Sequence, residues 1–409
     1  MINVCLLCDK IVNIGFWLAL LSAPTQYSIT PVKGLHVSFS DVVLCIIFGL
    51  WLFSRLLRKD WGTIFTSLPW PHLFLMILAA FSFFVAKERM EAGREIIQIG
   101  LYLIAAPLLA LDQLKEIQKR KYVLLALIFP CAINVIIASV QYFNLSEADP
   151  LTVKGLFGNC NVFGGYLALM LPLLYVLALK SQSKVVRFLS IFTLLGSMIV
   201  NLSGAAFIIS AIGILLVSLS FSRKLTFATL AVFLAVQVLV LPHLPRENDI
   251  AHFRSVALYD EDGQPERRYP EWQAAVSMVL EYPWLGVGAG NYQRNIGPFY
   301  DTVPNATGPS EPDIQNLYLV VAGSLGLPAV LTLIMLFANA IFTSLKGSKE
   351  NIIGVGVAGG IAAFAFTAIW HPLLVRGIGL PLATMLALAY SLLTVDCAKN
   401  KCQIIENKI

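Results

Sequence analysis

The sequence predicts an all-α, polytopic integral membrane protein with about 12 transmembrane helices and one large extracytoplasmic loop. Three observations predict it. Hydrophobic residues make up 57% of the 409 positions and charged residues only 13%, far from the balance of a water-soluble domain. Apolar stretches near the roughly 20 residues needed to cross hydrocarbon recur along the whole chain, and a helix satisfies its own backbone groups there. A single long hydrophilic segment, residues 243–314, interrupts the pattern.

Charges, prolines and glycines punctuate the apolar runs and place the spans at 11–29, 38–57, 71–86, 94–111, 121–143, 160–180, 185–200, 203–221, 225–242, 315–341, 352–371 and 376–394. The seventh and eighth meet at "NLSGAA", where one interrupted unit is the alternative to two helices. The chain thus divides into amino-terminal membrane helices (1–242), the large loop (243–314), three closing helices (315–394) and a cytoplasmic tail (395–409). The first apolar stretch shows no clear small-residue cleavage site and is expected to be retained.

Lysine and arginine favour cytoplasmic loops. With the amino terminus inside, Arg55, Arg58, Lys59, Lys115, Lys119, Arg120, Lys121, Lys180, Lys184, Arg187, Arg223, Lys224, Lys346 and Lys349 all fall on that side, as do Lys10, Lys399, Lys401 and Lys408. The large loop is then periplasmic or extracellular. The net charge of +5 follows from this orientation, and nucleic acid is not an expected partner. The cysteines do not form a disulfide framework, and the pair Cys5 and Cys8 lacks the second pair or histidines of a metal site. The predicted spans carry almost no charge: Asp41 lies near an end, and only amides such as Asn134 and Gln237 lie deeper. An ion-coupled transporter or flippase needs ionisable groups along its path, so it is the least favoured class.

Polar chemistry concentrates in three stretches. The loop carries arginine and no lysine, at Arg246, Arg254, Arg267, Arg268 and Arg294. The planar guanidinium binds phosphate or carboxylate bidentately, although pairing with the loop's own acidic residues is the blander alternative. Within it, "RRYPEWQAAVSMVLEYPWLGVGAGNY" predicts a short amphipathic helix opened by Pro270, with Glu271, Trp272, Ala275, Val276 and Val279 at helical spacing. Gly286, Gly288 and Gly290 then form turns. The second stretch, "KGLFGNCNVFGGYLALMLPLL", places Lys154, Asn159 and Asn161 where the sixth span begins; the amides either cap that helix or bind a ligand at its positive end. The third, "PDIQNLYLVVAGSLGLP", crowds Asp313, Gln315 and Asn316 at the start of the tenth span, just after Glu311.

Together these stretches resemble the O-antigen ligase and polymerase family of bacterial membrane proteins. "GLFGNCNVFGGYLALMLPLL" is similar to the family's G-x-FGNPN segment, with Cys160 where proline is usual. "RYPEWQAAVSMVLEYPWLGVGAGNY" resembles its R-x3-W segment leading to P-x-LGVG-x-GN, and "IQNLYLVVAGSLGLPAVL" its HN-x-YL segment. The match is good over residues 150–345 and generic before them. The resemblance implies glycosyl transfer from a polyprenyl-diphosphate-linked glycan to a lipid or glycan acceptor, at the outer side of the bacterial inner (cytoplasmic) membrane, with membrane lipids around it and no cofactor or obligatory metal. It implies a role in lipopolysaccharide and envelope polysaccharide biosynthesis. Arginines would hold the diphosphate, with Arg268 first, then Arg294 and Arg94; Trp272, Lys154, Asn159 and Asn161 complete the expected substrate contacts.

Two positions depart from the family pattern. The histidine expected before Asn316 is Gln315, whose amide cannot take a proton near neutral pH. Ala205 stands about where many members carry an arginine. Three readings remain open. Asp313, Glu311 or Glu271 supplies the base while Gln315 orients the acceptor; or His371, in "WHPLLVRG" beside Arg376, reaches the same cavity; or the chain is an impaired, glycan-lipid-binding scaffold.

Overall fold

The computed structural model describes residues 2–25, 28–32, 35–60, 68–144, 152–240, 268–303, 314–348 and 351–406. About half of the large loop, with Arg246, Arg254, Arg267, Glu311 and Asp313, lies outside them. The chain runs through α1 (Ile2–Ser22), a two-stranded antiparallel hairpin of β1 (Ser28–Val32) and β2 (Leu35–Ser38), then α2 (Phe39–Leu57), α3 (Trp70–Ser82) and α4 (Arg89–Gly100). A π-type turn, Leu101–Ala105, joins α4 to α5 (Ala106–Leu114), and α6 (Ile117–Phe143), α7 (Cys160–Lys180), α8 (Lys184–Val200), α9 (Gly204–Phe221) and α10 (Arg223–Ala235) follow. Beyond the loop come α11 (Arg268–Glu281), the single turns α12 (Tyr292–Asn295) and α13 (Gly297–Tyr300), α14 (Leu317–Leu325), α15 (Leu327–Gly347), α16 (Ile353–Thr367) and α17 (Gly379–Glu406).

Seven of the described helical stretches are long and apolar enough to cross a membrane, and α3, α16 and Gly379–Leu392 are shorter apolar helices. The all-α membrane class holds, with two differences from the sequence reading. The first span ends at Ser22 and gives way to the hairpin, where β-branched Ile29, Thr30 and Val32 lie. The stretches 185–200 and 203–221 are two helices, as the sequence reading has them, broken at Asn201–Ser203. The tenth predicted span is also two helices, α14 and α15, broken at Gly326 with φ +87° and followed by Pro328 in the first turn of α15. That φ favours glycine, and proline suits a helix start because its missing N–H has no partner to lose there.

The core is built round α7, whose residues from Val162 to Leu177 are all buried. Close approach by α16 depends on the absence of side chains. A Cβ at Gly360 would stand 2.2 Å from the carbonyl oxygen of Leu169, and one at Gly356 2.9 Å from the Cα of Leu173. Packing of small residues is what holds helices together where lipid is as apolar as leucine. A polar latch sits in α6. Asn134 donates to the carbonyls of Pro130 and Pro24, both at 3.0 Å, and accepts the N–H of Leu156 at 2.8 Å, which ties α1 and the entry to α7 onto one helix.

The two ends of the bundle differ in chemistry. At one end Asp9 pairs with Arg58, Asp112 with Arg55 and Lys115, and Glu116 with Lys119. The other end, where α7, α9 and α14 begin and α16 finishes, gathers the residues singled out above.

Candidate functional site

The amino-terminal glycines of α7 make room for the site. A Cβ at Gly164 would lie 2.7 Å from the Cβ of Ser203 and 2.9 Å from that of Ala206; one at Gly165 would lie 2.5 Å from Leu373. The start of α9 and the connection after α16 therefore press onto the same turn of α7. Their meeting brings Ser203 and His371 together. His371 is 1% exposed; its Nε2 lies 3.2 Å from Ser203 Oγ and its Nδ1 3.3 Å from Gln315 Oε1. Gln315 is held in place because its neighbour Leu317 donates its N–H to the carbonyl of Ala368 at 2.9 Å. Asn316 caps α14, its side chain accepting the Leu319 N–H at 3.1 Å.

Electrostatically this corner is guarded by arginine. Burial pushes the His371 imidazole down to about 3, and the guanidinium of Arg268, at the start of α11, acts in the same direction. His371 is therefore neutral at physiological pH. Glu271, one turn beyond Arg268, is buried, and the indole Nε1 of Trp272 is buried with no hydrogen-bond partner among the described residues.

The glycine run after α11 is a splice between segments. Gly286, at φ +61°, sits against the backbone of α14, where a Cβ would come 2.3 Å from the Gly323 carbonyl oxygen. The N–H groups of Val287 and Gly288 donate to the carbonyls of Gly323 and Ser324 at 2.8 and 3.0 Å, and Leu327 donates to Pro283 at 2.8 Å. Asn291 continues the splice: its Oδ1 accepts the Glu88 N–H at 2.8 Å. These N–H groups are spent on protein carbonyls.

Beside the corner lies a cavity of about 1090 Å³. Its lining joins a polar set, Asp41, Glu91, Arg94, Gln98, Gln293 and Arg376, to an apolar one that includes Ile46, Leu75, Leu333, Leu336 and Leu386. Leu317 and Pro372 line it too, so the chain neighbours of Asn316 and His371 form part of its wall. Arg376 pairs with Asp41 at 3.2 Å and donates to Gln98 at 3.1 Å; Tyr102 donates to Asp41.

Residues 189–334 match the family model described as O-antigen ligase. Over that segment the chain is similar to the O-antigen ligases. A comparison with curated proteins returns no match. The family segment contains Arg268, Trp272, Arg294, Glu311, Asp313, Gln315 and Asn316, whereas Arg94, Lys154, Asn159, Asn161 and His371 lie outside it.

The structure sorts the expected residues. Gln315, Asn316, His371 and Arg268 converge. Arg94 pairs with Glu91 at 3.1 Å on the cavity wall, and Arg294 pairs with Glu88 at 3.3 Å with half or more of each side chain exposed. Lys154 donates to the carbonyl of Gly158, itself on the cavity wall. Asn159 caps α7 through the Val162 N–H, and Asn161 Oδ1 lies 3.9 Å from Cys160 Sγ. Sequence reasoning missed Ser203 and the pairing of Asp41 with Arg376. The polar break "NLSG" was the available signal for the first; nothing local signals the second.

Proposed function

We propose that this chain transfers a glycan from a polyprenyl-diphosphate donor to a lipid or glycan acceptor outside the bacterial inner membrane, with about twelve crossings and residues 243–314 on the outer face. The cavity carries the reading. An amphiphile with an anionic head and a long apolar tail matches a space lined by Arg94 and Arg376 on its polar side and by leucine and isoleucine on its apolar side, and its volume is at the upper end of ordinary ligand pockets. In this reading Arg268 meets the anionic head at the polar corner, and Arg94 is a further contact on the cavity wall; Arg294, Lys154, Trp272, Asn159 and Asn161 are secondary candidates. Gln315 and Asn316 are the acceptor edge in this reading; Asp313 and Glu311, which precede them in sequence, lie outside the described residues. The family match supports lipid-linked glycan chemistry in a bacterial membrane.

The test is transfer in proteoliposomes from a polyprenyl-diphosphate oligosaccharide. Native protein is expected to form product, and Arg268→Ala to lower turnover about 10- to 100-fold, the usual scale for losing a charged hydrogen-bond donor. Arg294→Ala, removing an exposed pair worth about 0–1 kcal/mol, should change it little. Donor binding without product would instead identify a glycan-lipid scaffold, the reading that Gln315 at the family's histidine position favours.

A further inference from the structure

Ser203, His371 and Gln315 form a chain of hydrogen bonds whose direction the chemistry fixes. An amide oxygen only accepts, so the ring proton of His371 sits on Nδ1 and points to Gln315 Oε1 at 3.3 Å. Nε2 is then a bare lone pair, and the hydroxyl of Ser203 donates to it at 3.2 Å. A base within reach of a hydroxyl and oriented from behind by a third group is the arrangement that activates hydroxyls. Two glycines of α7 hold the group together, and the ring is sealed from water.

Next to it is an unfilled amide. Asn201 is 5% exposed, and neither its Oδ1 nor its Nδ2 has a hydrogen-bond partner among the described residues. Its Oδ1 stands 3.0 Å from where a Cβ on Gly164 would be, so it faces the same turn of α7 as Ser203. A buried amide without partners is costly to keep, and a hydroxyl-bearing ligand would satisfy it.

We propose that His371 Nε2 is the proton acceptor for the attacking sugar hydroxyl, that Ser203 Oγ holds the place of that hydroxyl in the free protein, and that Asn201 orients the acceptor sugar. The proposal rests on the transfer reading above and gives its acceptor half a mechanism. The acceptor oxygen forms a bond to the anomeric carbon of the donor, and its proton passes to Nε2. The bond from that carbon to the diphosphate oxygen breaks, and its electron pair leaves with polyprenyl diphosphate. The imidazolium then gives its proton to the departing diphosphate. Gln315, by accepting from Nδ1, is a positioning residue: it keeps the lone pair on the nitrogen that faces the hydroxyl.

The experiment compares native protein with His371→Ala, His371→Gln and the double variant Gln315→His/His371→Ala in the same proteoliposomes, with donor binding measured in parallel. His371→Ala is expected to lower kcat by about 10²- to 10⁴-fold, the usual worth of general-base help, with donor affinity kept within about threefold. His371→Gln, which retains hydrogen-bonding capacity, is expected to lose turnover equally while binding donor. The double variant should regain at least about 10-fold over His371→Ala, because an imidazole at 315 approaches the hydroxyl from the other side of the present contact; a purely structural histidine would give no such rescue. Near-native kcat in His371→Gln overturns the inference and leaves the transfer reading intact. Absence of product from native protein that still binds donor defeats the transfer reading and the inference with it.

Discussion

At position 371 the protein keeps an imidazole neutral by burying it and setting a guanidinium nearby. A pKa lowered from 6.5 to about 3 means that the free enzyme holds the proton-accepting form at every pH above about 4. The charged group that acts on the ring among the described residues is Arg268; Ser203 and Gln315, its direct partners, are neutral. The expected pH profile of kcat/KM is therefore flat between about pH 5 and 8 with respect to this group, and an inflection near 6.5 would contradict it. A diphosphate beside Arg268 adds negative charge and stabilises the imidazolium, so the inflection in kcat should lie higher than that in kcat/KM. The sequence made Gln315, Asn316, Arg268 and His371 individually legible, because each is polar at the edge of an apolar run. Their union was not legible: 56 residues separate Gln315 from His371 and 168 separate His371 from Ser203, and no local pattern encodes such pairings. Asn159 shows the reverse case, a conspicuous residue whose main observed task is to cap its own helix.

At the scale of elements, the decisive parts are breaks. The Gly-Leu-Pro at 326–328 reads in sequence as punctuation inside one apolar run, and hydropathy outweighed it; in the fold it divides the run so that the turn after α11 can dock its N–H groups onto the exposed carbonyls of α14. Gly286→Val should be poorly tolerated, since its φ of +61° disfavours any side chain and its Cβ would meet the Gly323 oxygen at 2.3 Å. Overpacking of this kind costs about 1–3 kcal/mol or more, which should appear as a lowered melting temperature in detergent. Gly297→Ala is the matched control, because nothing lies within 4 Å of its Cβ direction; its melting temperature should stay close to native. Equal losses in both would remove the splice from the explanation.

Over the whole molecule, one end gathers Asp9, Arg55, Arg58, Asp112 and their partners, and the other holds the His371 corner with a cavity beside it. Hydrophobic runs made the helical membrane class readable, since length and apolarity are local properties. The cavity was unreadable because its wall draws on α2, α4, α14, α15 and α17, and only packing brings these together. Its proposed use as a seat for a long apolar tail predicts that Ile46→Trp, at a 57% exposed lining position where bulk is accommodated, raises KM for a long-chain donor several-fold. A short-chain donor should be affected little. Equal effects on both donors would place the tail elsewhere.

The hydrogen-bonded trio has a consequence for biogenesis. Its members come from the start of α9, the entry to α14 and the connection beyond α16, so synthesis and membrane insertion must pass residue 371 before the trio can exist. A nascent chain halted earlier carries many of its hydrophobic helices and some of its arginines but no aligned imidazole. On the proposed mechanism, acceptor chemistry is thereby withheld until the last helices are threaded, and an unfinished chain in the membrane stays chemically silent.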